Sequence, residues 1–245
     1  MKTVIKLAAV AAVMAWSLPD LAQAQDASTY QDKTPAANPQ TSTASDLKVS
    51  FGLSAATDYV WRGVSQSDND PAVFATVSVN YSGFYAGAGT ENVSFAGIEQ
   101  EWDLWAGYVI DLGGPKLDLG VVRYGYIDAP ADIDTLEAKA ALTGNAGELG
   151  LGVSAYHTRD YFGTSENATF LEASASYPLN DKLTASGAFG HQQVSHLPDY
   201  NLWNLGLSYE VLKGAKVDLR YHDTDTSSFG TLGDARVVGS FSIGF

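Results

Sequence analysis

Cysteine is missing from all 245 residues. Disulfides, thiolate metal sites and a cysteine nucleophile are excluded with it. Basic residues are scarce: 14 Lys and Arg face 28 Asp and Glu, a formal net charge of -14. A general nucleic-acid binder needs a basic surface to meet phosphates, so that class is excluded as well. Long apolar runs are lacking. The stretch from Leu7 to Trp16 falls short of the ~20 residues a helix needs to cross a bilayer. No Gly-rich phosphate cradle opens a helix, so nucleotide chemistry has no support. Histidine, at 4, and proline, at 8, are sparse; glycine, at 24, and the aromatics, with 13 Tyr, 10 Phe and 5 Trp, are not.

The N-terminus reads as an address. Lys2 and Lys6 precede the apolar run, and Ala22-Gln23-Ala24 is a small-x-small cleavage site. Residues 1–24 therefore read as a secretory signal peptide, with Gln25 the mature N-terminus. An uncleaved membrane helix is the weaker alternative, because the run ends near Pro19 and Asp20. Residues 25–46 are rich in Gln, Thr, Ser and Ala and contain Pro35 and Pro39. Such a segment cannot bury enough apolar surface to offset its ordering entropy, which predicts a disordered polar tether.

From Leu47 to Phe245 the dominant period is two. Leu47, Val49, Phe51, Leu53 and Ala55 share one face, against Lys48, Ser50, Gly52 and Ser54. Trp203, Leu205, Leu207 and Tyr209 oppose Asn204, Gly206, Ser208 and Glu210 in the same way. Twelve such segments predict strands. Tight connections rich in Gly, Asn and Asp, at 82–83, 111–115, 145–146, 180–181 and 213–214, suit hairpin turns. Longer ones fall between them, near 58–71, 93–99, 127–134, 158–167, 191–200 and 223–233. The long connections are acidic apart from Arg62 and Arg159, whereas Lys116, Lys182 and Lys213 flank the short ones. Short periplasmic turns alternating with longer extracellular loops mark a membrane barrel. The fold class is thus all-β: a transmembrane antiparallel up-and-down β-barrel of about 12 strands spanning 47–245. Its polar face would line the lumen, since hydrocarbon tolerates no open sheet edge. A secreted soluble small-ligand-binding barrel would turn the apolar face inward, and alternation alone does not decide between them.

Individual residues have a bland and a sharp reading. Arg62 follows the first strand among Asp58, Asp68 and Asp70. With Asp68 and Asp70 it is a candidate for fixing a first loop at a pore mouth, or simply for shaping that loop. Gly63 is placed to supply a positive φ there, and Ser65 and Ser67 to cap the turn. The candidate lumen charges are Glu101, Asp103, Asp118, Glu137, Lys139, Glu172, Glu210, Lys216, Asp218, Arg220 and Arg236. They form either a filter that selects ions by field or neutralising pairs that plug a narrow barrel. Tyr59, Trp61, Trp102, Trp105, Tyr108, Tyr124, Tyr126, Tyr161, Tyr177, Trp203, Tyr209 and Tyr221 suit interfacial girdles. If Trp105, Tyr124, Tyr126 and Tyr156 lie on the polar face, they would instead suit sugar stacking. His157, Arg159 and Asp160, with His191, His196, His222 and Asp223, are the enzyme alternative, but they show no ordered nucleophile–base–orienter set. His191 and His196 lack a third zinc ligand. No catalytic, cofactor or metal residue is assigned.

The segment Asp58-Tyr59-Val60-Trp61-Arg62-Gly63-Val64-Ser65-Gln66-Ser67-Asp68, followed by Pro71-Ala72-Val73 and by Ser-Gly-Phe-Tyr-Ala-Gly at 82–87, resembles the TorF family of porins. Trp61 departs from the Phe often found there, and the tether is long. The resemblance covers the whole barrel. It implies an outer-membrane channel of a Gram-negative bacterium and carries no substrate with it. Phe245, with Ile243 and Phe241 at alternate positions, resembles the signal read by the outer-membrane barrel assembly machinery. The expected function is passive diffusion of small hydrophilic solutes or ions, with a weak cation preference from the acidic excess. The expected partners are outer-membrane lipid, the assembly machinery and the solutes themselves. A closed barrel with a structural or surface-interaction role is the rival.

Overall fold

The computed structural model describes residues 47–245. The expected signal peptide and tether lie outside the described residues. The strands are β1 (Lys48–Ala56), β2 (Val60–Trp61), β3 (Val64–Ser65), β4 (Ala72–Tyr81), β5 (Phe84–Phe95), β6 (Ile98–Asp111), β7 (Lys116–Tyr126), β8 (Thr135–Ala146), β9 (Leu149–Thr158), β10 (Ala168–Pro178), β11 (Leu183–Val194), β12 (Tyr200–Leu212), β13 (Ala215–Thr224) and β14 (Arg236–Gly244). Twelve of them close into an antiparallel barrel, with β1 between β14 and β4. The pair β2–β3 stands apart as a miniature hairpin. Among the described residues the one helical turn is a 3-10 element at Gly230–Leu232.

The seam closes on the last residue. The Phe51 amide donates to the Phe245 carbonyl at 2.8 Å, and the Phe245 amide returns the bond at 3.0 Å. The two rings stack 6.0 Å apart. Phe245 is therefore part of the closure.

The barrel is inverted relative to a soluble protein. Leu205 is 67 % exposed on the outer wall, whereas Arg220 is 1 % exposed inside. Leu53, Leu104, Leu136, Leu171, Leu219 and Val237 share the outer face. An apolar surface that continuous is far beyond what a monomeric soluble protein carries. Near the short turns Tyr81, Phe84, Tyr108, Tyr177 and Tyr209 point outward. Near the other end Trp102 and Trp203 do so, from strand positions that alternate with buried Glu101 and Leu202.

Three sequence-based expectations change. The connection at 93–99 is a two-residue turn, because β5 and β6 run on to Phe95 and Ile98. Ala96 and Gly97, at φ 51° and 81°, make the positive-φ pair that the right-handed twist of a hairpin favours. Ser82–Gly83, at 48° and 87°, repeat it. Asn145 and Ala146 lie inside β8, and the turn falls one step later around Gly147. The loop at 191–200 shrinks to 195–199 because β11 extends to Val194. Long and short connections therefore do not alternate strictly.

Candidate functional site

The first loop, 57–71, folds into the mouth of the barrel. β2 and β3 pair Val60 with Ser65 and Trp61 with Val64. Arg62 and Gly63, at φ 41° and 80°, form the hairpin tip. A side chain on Gly63 would meet Thr224 Cγ2 at 2.5 Å, so the tip lies against the wall too closely for one. Tyr59, Val60, Trp61, Val64, Ser65, Gln66 and Ser67 are all buried. Asp58 anchors the base of the loop. It accepts from Ser65 Oγ at 2.6 Å, Ser67 Oγ at 3.0 Å and Arg236 at 2.8 Å.

Arg62 crosses to the far wall. Its two terminal nitrogens reach both oxygens of Glu137, at 3.1 and 2.7 Å, and one of them also donates to Gln192 at 2.8 Å. The guanidinium stacks 4.1 Å from the Trp61 ring centroid and 4.2 Å from that of Phe170. Tyr200 donates to the Arg62 carbonyl at 3.2 Å. Fork-to-fork geometry of this kind is specific as well as strong. Asp68 and Asp70, expected beside Arg62, are exposed instead, Asp68 at φ 58°. The reason is reach: the hairpin directs Arg62 into the barrel while its flank stays in solvent.

Below the loop, long side chains lie around the wall over glycines. Tyr85, Gly107, Gly120 and Lys139 occupy one rung across β5 to β8. A Cβ on Gly107 would sit 2.2 Å from the Tyr85 hydroxyl, and one on Gly120 2.5 Å from it. The bare glycines let Tyr85 reach Asp118 at 2.7 Å, whose other oxygen takes Lys139 Nζ at 2.6 Å. The opposite wall repeats the device. Arg220 lies over Gly206, where a Cβ would meet Cζ at 2.7 Å. It bonds Asp218 twice, at 3.2 and 2.9 Å, Asn204 at 2.8 Å and Ser186 at 2.9 Å.

The third group is Glu91, Glu101 and Asp103, from which one carboxylate oxygen each lies within 4.8 Å of the others. Tyr59 donates to Glu101 Oε2 at 3.2 Å. Four of the lumen-charge candidates remain. Glu172 is half-buried on β10, Glu210 and Lys216 are register partners on β12 and β13, and Arg236 holds Asp58. Trp105, Tyr124, Tyr126 and Tyr156 are buried in the lumen. Tyr59, Trp61 and Tyr161 are buried too, in infolded loops, so these three and Trp105, Tyr124 and Tyr126 all leave the expected girdles. Burial pushes the Tyr161 phenol well above its ordinary pKa. The histidines are dispersed. His157 meets Thr169 at 3.0 Å, His191 meets Asn201 at 2.9 Å and His196 meets Glu166 at 2.8 Å. His191 and His196 therefore take separate partners on β12 and in the 159–167 loop. Asn201 also donates through side chain and backbone to Asp225, holding that carboxyl below its usual range.

Glu91 was missed by sequence reasoning. It follows Tyr85, Gly87 and Gly89 on the polar face, a readable alternation, but lies beside what the sequence presents as a loop. Gln192 and Asn204 were missed because uncharged amides on an inner face carry no distinguishing signal.

Among the comparisons with known proteins, the solved structures agree on the fold. A family described as a bacterial protein of unknown function, Gcw_chp, matches residues 40–240. No curated protein matches the chain. The KdgM porin superposes with a TM-score of 0.59 at 12% identity, over 80% of this chain and 99% of that one. The NanC porin gives 0.53 at 12% identity, over 80% and 98%. The COG4313 outer membrane channel from Pseudomonas putida F1 gives 0.50 at 9% identity, over 85% and 99%. At such identities the likeness is one of fold.

Proposed function

We propose, for a chain that belongs to the Gcw_chp family of bacterial proteins, an outer-membrane channel through which small hydrophilic solutes or ions diffuse passively, cations in preference. One observation carries this reading: the charges are inside and the hydrocarbon-like surface is outside. Strands in lipid must satisfy every backbone group by closing, and a charged, water-compatible interior is then the route a hydrophilic solute would take. The porin-like fold and the likeness of Asp58–Asp68 to the TorF family support it. On this reading the short turns and Phe245 face the periplasm, and the 57–71 hairpin narrows the outer mouth.

The cation preference follows from the wall. Asp58, Glu91, Glu101, Asp103, Asp118, Glu137 and Asp218 are buried against Arg62, Lys139 and Arg220. A KdgM porin has been solved with oligogalacturonate, an acidic sugar. An acid-rich lumen opposes such a polyanion, so that substrate is not carried over. No covalent step is required, and the protein acts by width and field.

The closed-barrel reading has its own support in the hairpin locked by Arg62 on Glu137. Planar-bilayer recording under a salt gradient separates the two. Discrete steps with a cation-directed reversal potential, enlarged in Arg62→Ala, support the channel. Folded protein with no conductance in either wild type or Arg62→Ala would sink it in favour of the closed barrel.

A further inference from the structure

We propose that the β5–β7 wall of the lumen is a binding site for a hard divalent cation of the Ca2+ class, ligated by Glu91, Glu101 and Asp103. This departs from the sequence-based expectation of a barrel without metal ligands, and it does not depend on the channel being open. Glu91 on β5 lies directly across from Glu101 on β6, and Asp103 follows two residues on, on the same face. The three side chains belong to residues only 3 %, 1 % and 2 % exposed. Like charges directly opposite each other destabilise a sheet, more so away from water. A cation between them reverses the sign of that term.

Size and chemistry narrow the class. Ca2+ takes oxygen ligands at about 2.3–2.6 Å, so two ligands on opposite sides of the ion lie roughly 5 Å apart. The donor oxygens here all lie within 4.8 Å of one another. No sulfur or imidazole belongs to the group, which disfavours the softer transition metals.

A separate observation comes from the third strand. Glu91, Glu101 and Tyr126 occupy one rung across β5, β6 and β7. Tyr126 is 7 % exposed, and its hydroxyl has no hydrogen-bond partner among the described residues. Glu101 is its register partner on β6, and the charges of Glu101 and Asp103 act on it. A buried phenol in that position is suited to an oxygen-rich guest, the hydration water of a cation or the cation itself. On the next rung Gly89 faces Asp103, so β5 places no side chain over the centre of the group. Tyr59, from the infolded loop, holds the orientation of Glu101 from above.

The test uses Tb3+ as the probe, on the full chain purified in detergent, with Tyr and Trp as sensitisers. Wild type is expected to give saturable sensitised emission that Ca2+ displaces. Glu101→Gln and Asp103→Asn are expected to weaken Tb3+ binding about tenfold or more, because affinity follows ligand charge. The thermal midpoint should rise with Ca2+ in wild type and not in these variants. In EDTA the variants should be at least as stable as wild type, since each removes a repelling charge; that also verifies their folding. Absence of saturable emission in wild type, emission unchanged in the variants, or displacement by Zn2+ but not by Ca2+ would each overturn the site.

Discussion

Two walls of the same lumen handle charge in opposite ways. On β11–β13, Asp218 and Arg220 meet two positions apart on one face of β13, and Asn204 and Ser186 complete the guanidinium's bonds. On β5–β7, Glu91, Glu101 and Asp103 bring like charges together. The first wall is neutral within itself and resists change. The second concentrates field where a passing or bound cation would feel it. The comparison teaches that buried charge in a barrel is not one category: its partners decide whether it holds the wall together or acts on what enters.

The sharpest way to break the comparison is to delete one charge from each wall. Arg220→Ala removes the cation that neutralises Asp218 and strips Asn204 and Ser186 of their donor. A broken buried pair costs about 3–5 kcal/mol, and the urea midpoint of the refolded barrel in micelles should fall accordingly. Replacing Asp218 and Arg220 together by apolar residues should recover most of that loss. Glu91→Gln on the other wall should leave the metal-free midpoint unchanged or raise it. Equal losses from the two single changes would show that the walls do not differ in kind.

A smaller effect tests what the walls share. Both rest a long side chain on bare glycine: Tyr85 over Gly107 and Gly120, Arg220 over Gly206. Gly107→Ala puts a methyl at 2.2 Å from the Tyr85 hydroxyl and must displace it from Asp118. Overpacking of this kind costs about 1–3 kcal/mol. Adding Tyr85→Phe should relieve part of it by removing the clashing oxygen. If Gly107→Ala alone leaves the midpoint unmoved, the glycine floor has no role.

Much of this was legible in the residues, and the failures have physical causes. The period of two gave twelve strands because outward Leu and Val alternate with inward Ser, Gly and charge along nearly every one. Which face was inward needed the pairing itself. The strand ends at Ala96–Gly97 were obscured because Ser94 and Glu99 read as loop, while backbone pairing carried the hairpin further. Arg62 was singled out from its neighbours in sequence, yet its partner Glu137 is 75 positions away. Period-two reasoning places a residue on a face; it does not specify which residues meet across a lumen. The same limit hid Glu91, whose meaning comes from facing Glu101 on the next strand.

The smallest expected effect separates the mouth from the walls. His196 stands exposed at φ 61° in the 195–199 loop, and its Nδ1 lies 2.8 Å from Glu166 in the neighbouring loop. The hydrogen bond to Glu166, and then its charge, raise the imidazole above its ordinary pKa of 6.5. A group whose pKa is raised by folding contributes fully below its unfolded value and loses that contribution as pH rises through the folded one. The clip between the two loops is therefore closed in mild acid and released as pH climbs past the raised imidazole pKa. Exposure and salt screening keep its contribution small. Amide exchange in residues 159–167, corrected for the intrinsic rate, should be faster at pH 8 than at pH 5.5. His196→Ala should remove the difference by making both values fast. The buried Asp218–Arg220 wall should show no change over the same interval. A pH response of equal size on that wall would mean that the mouth and the lumen are coupled and respond as one unit.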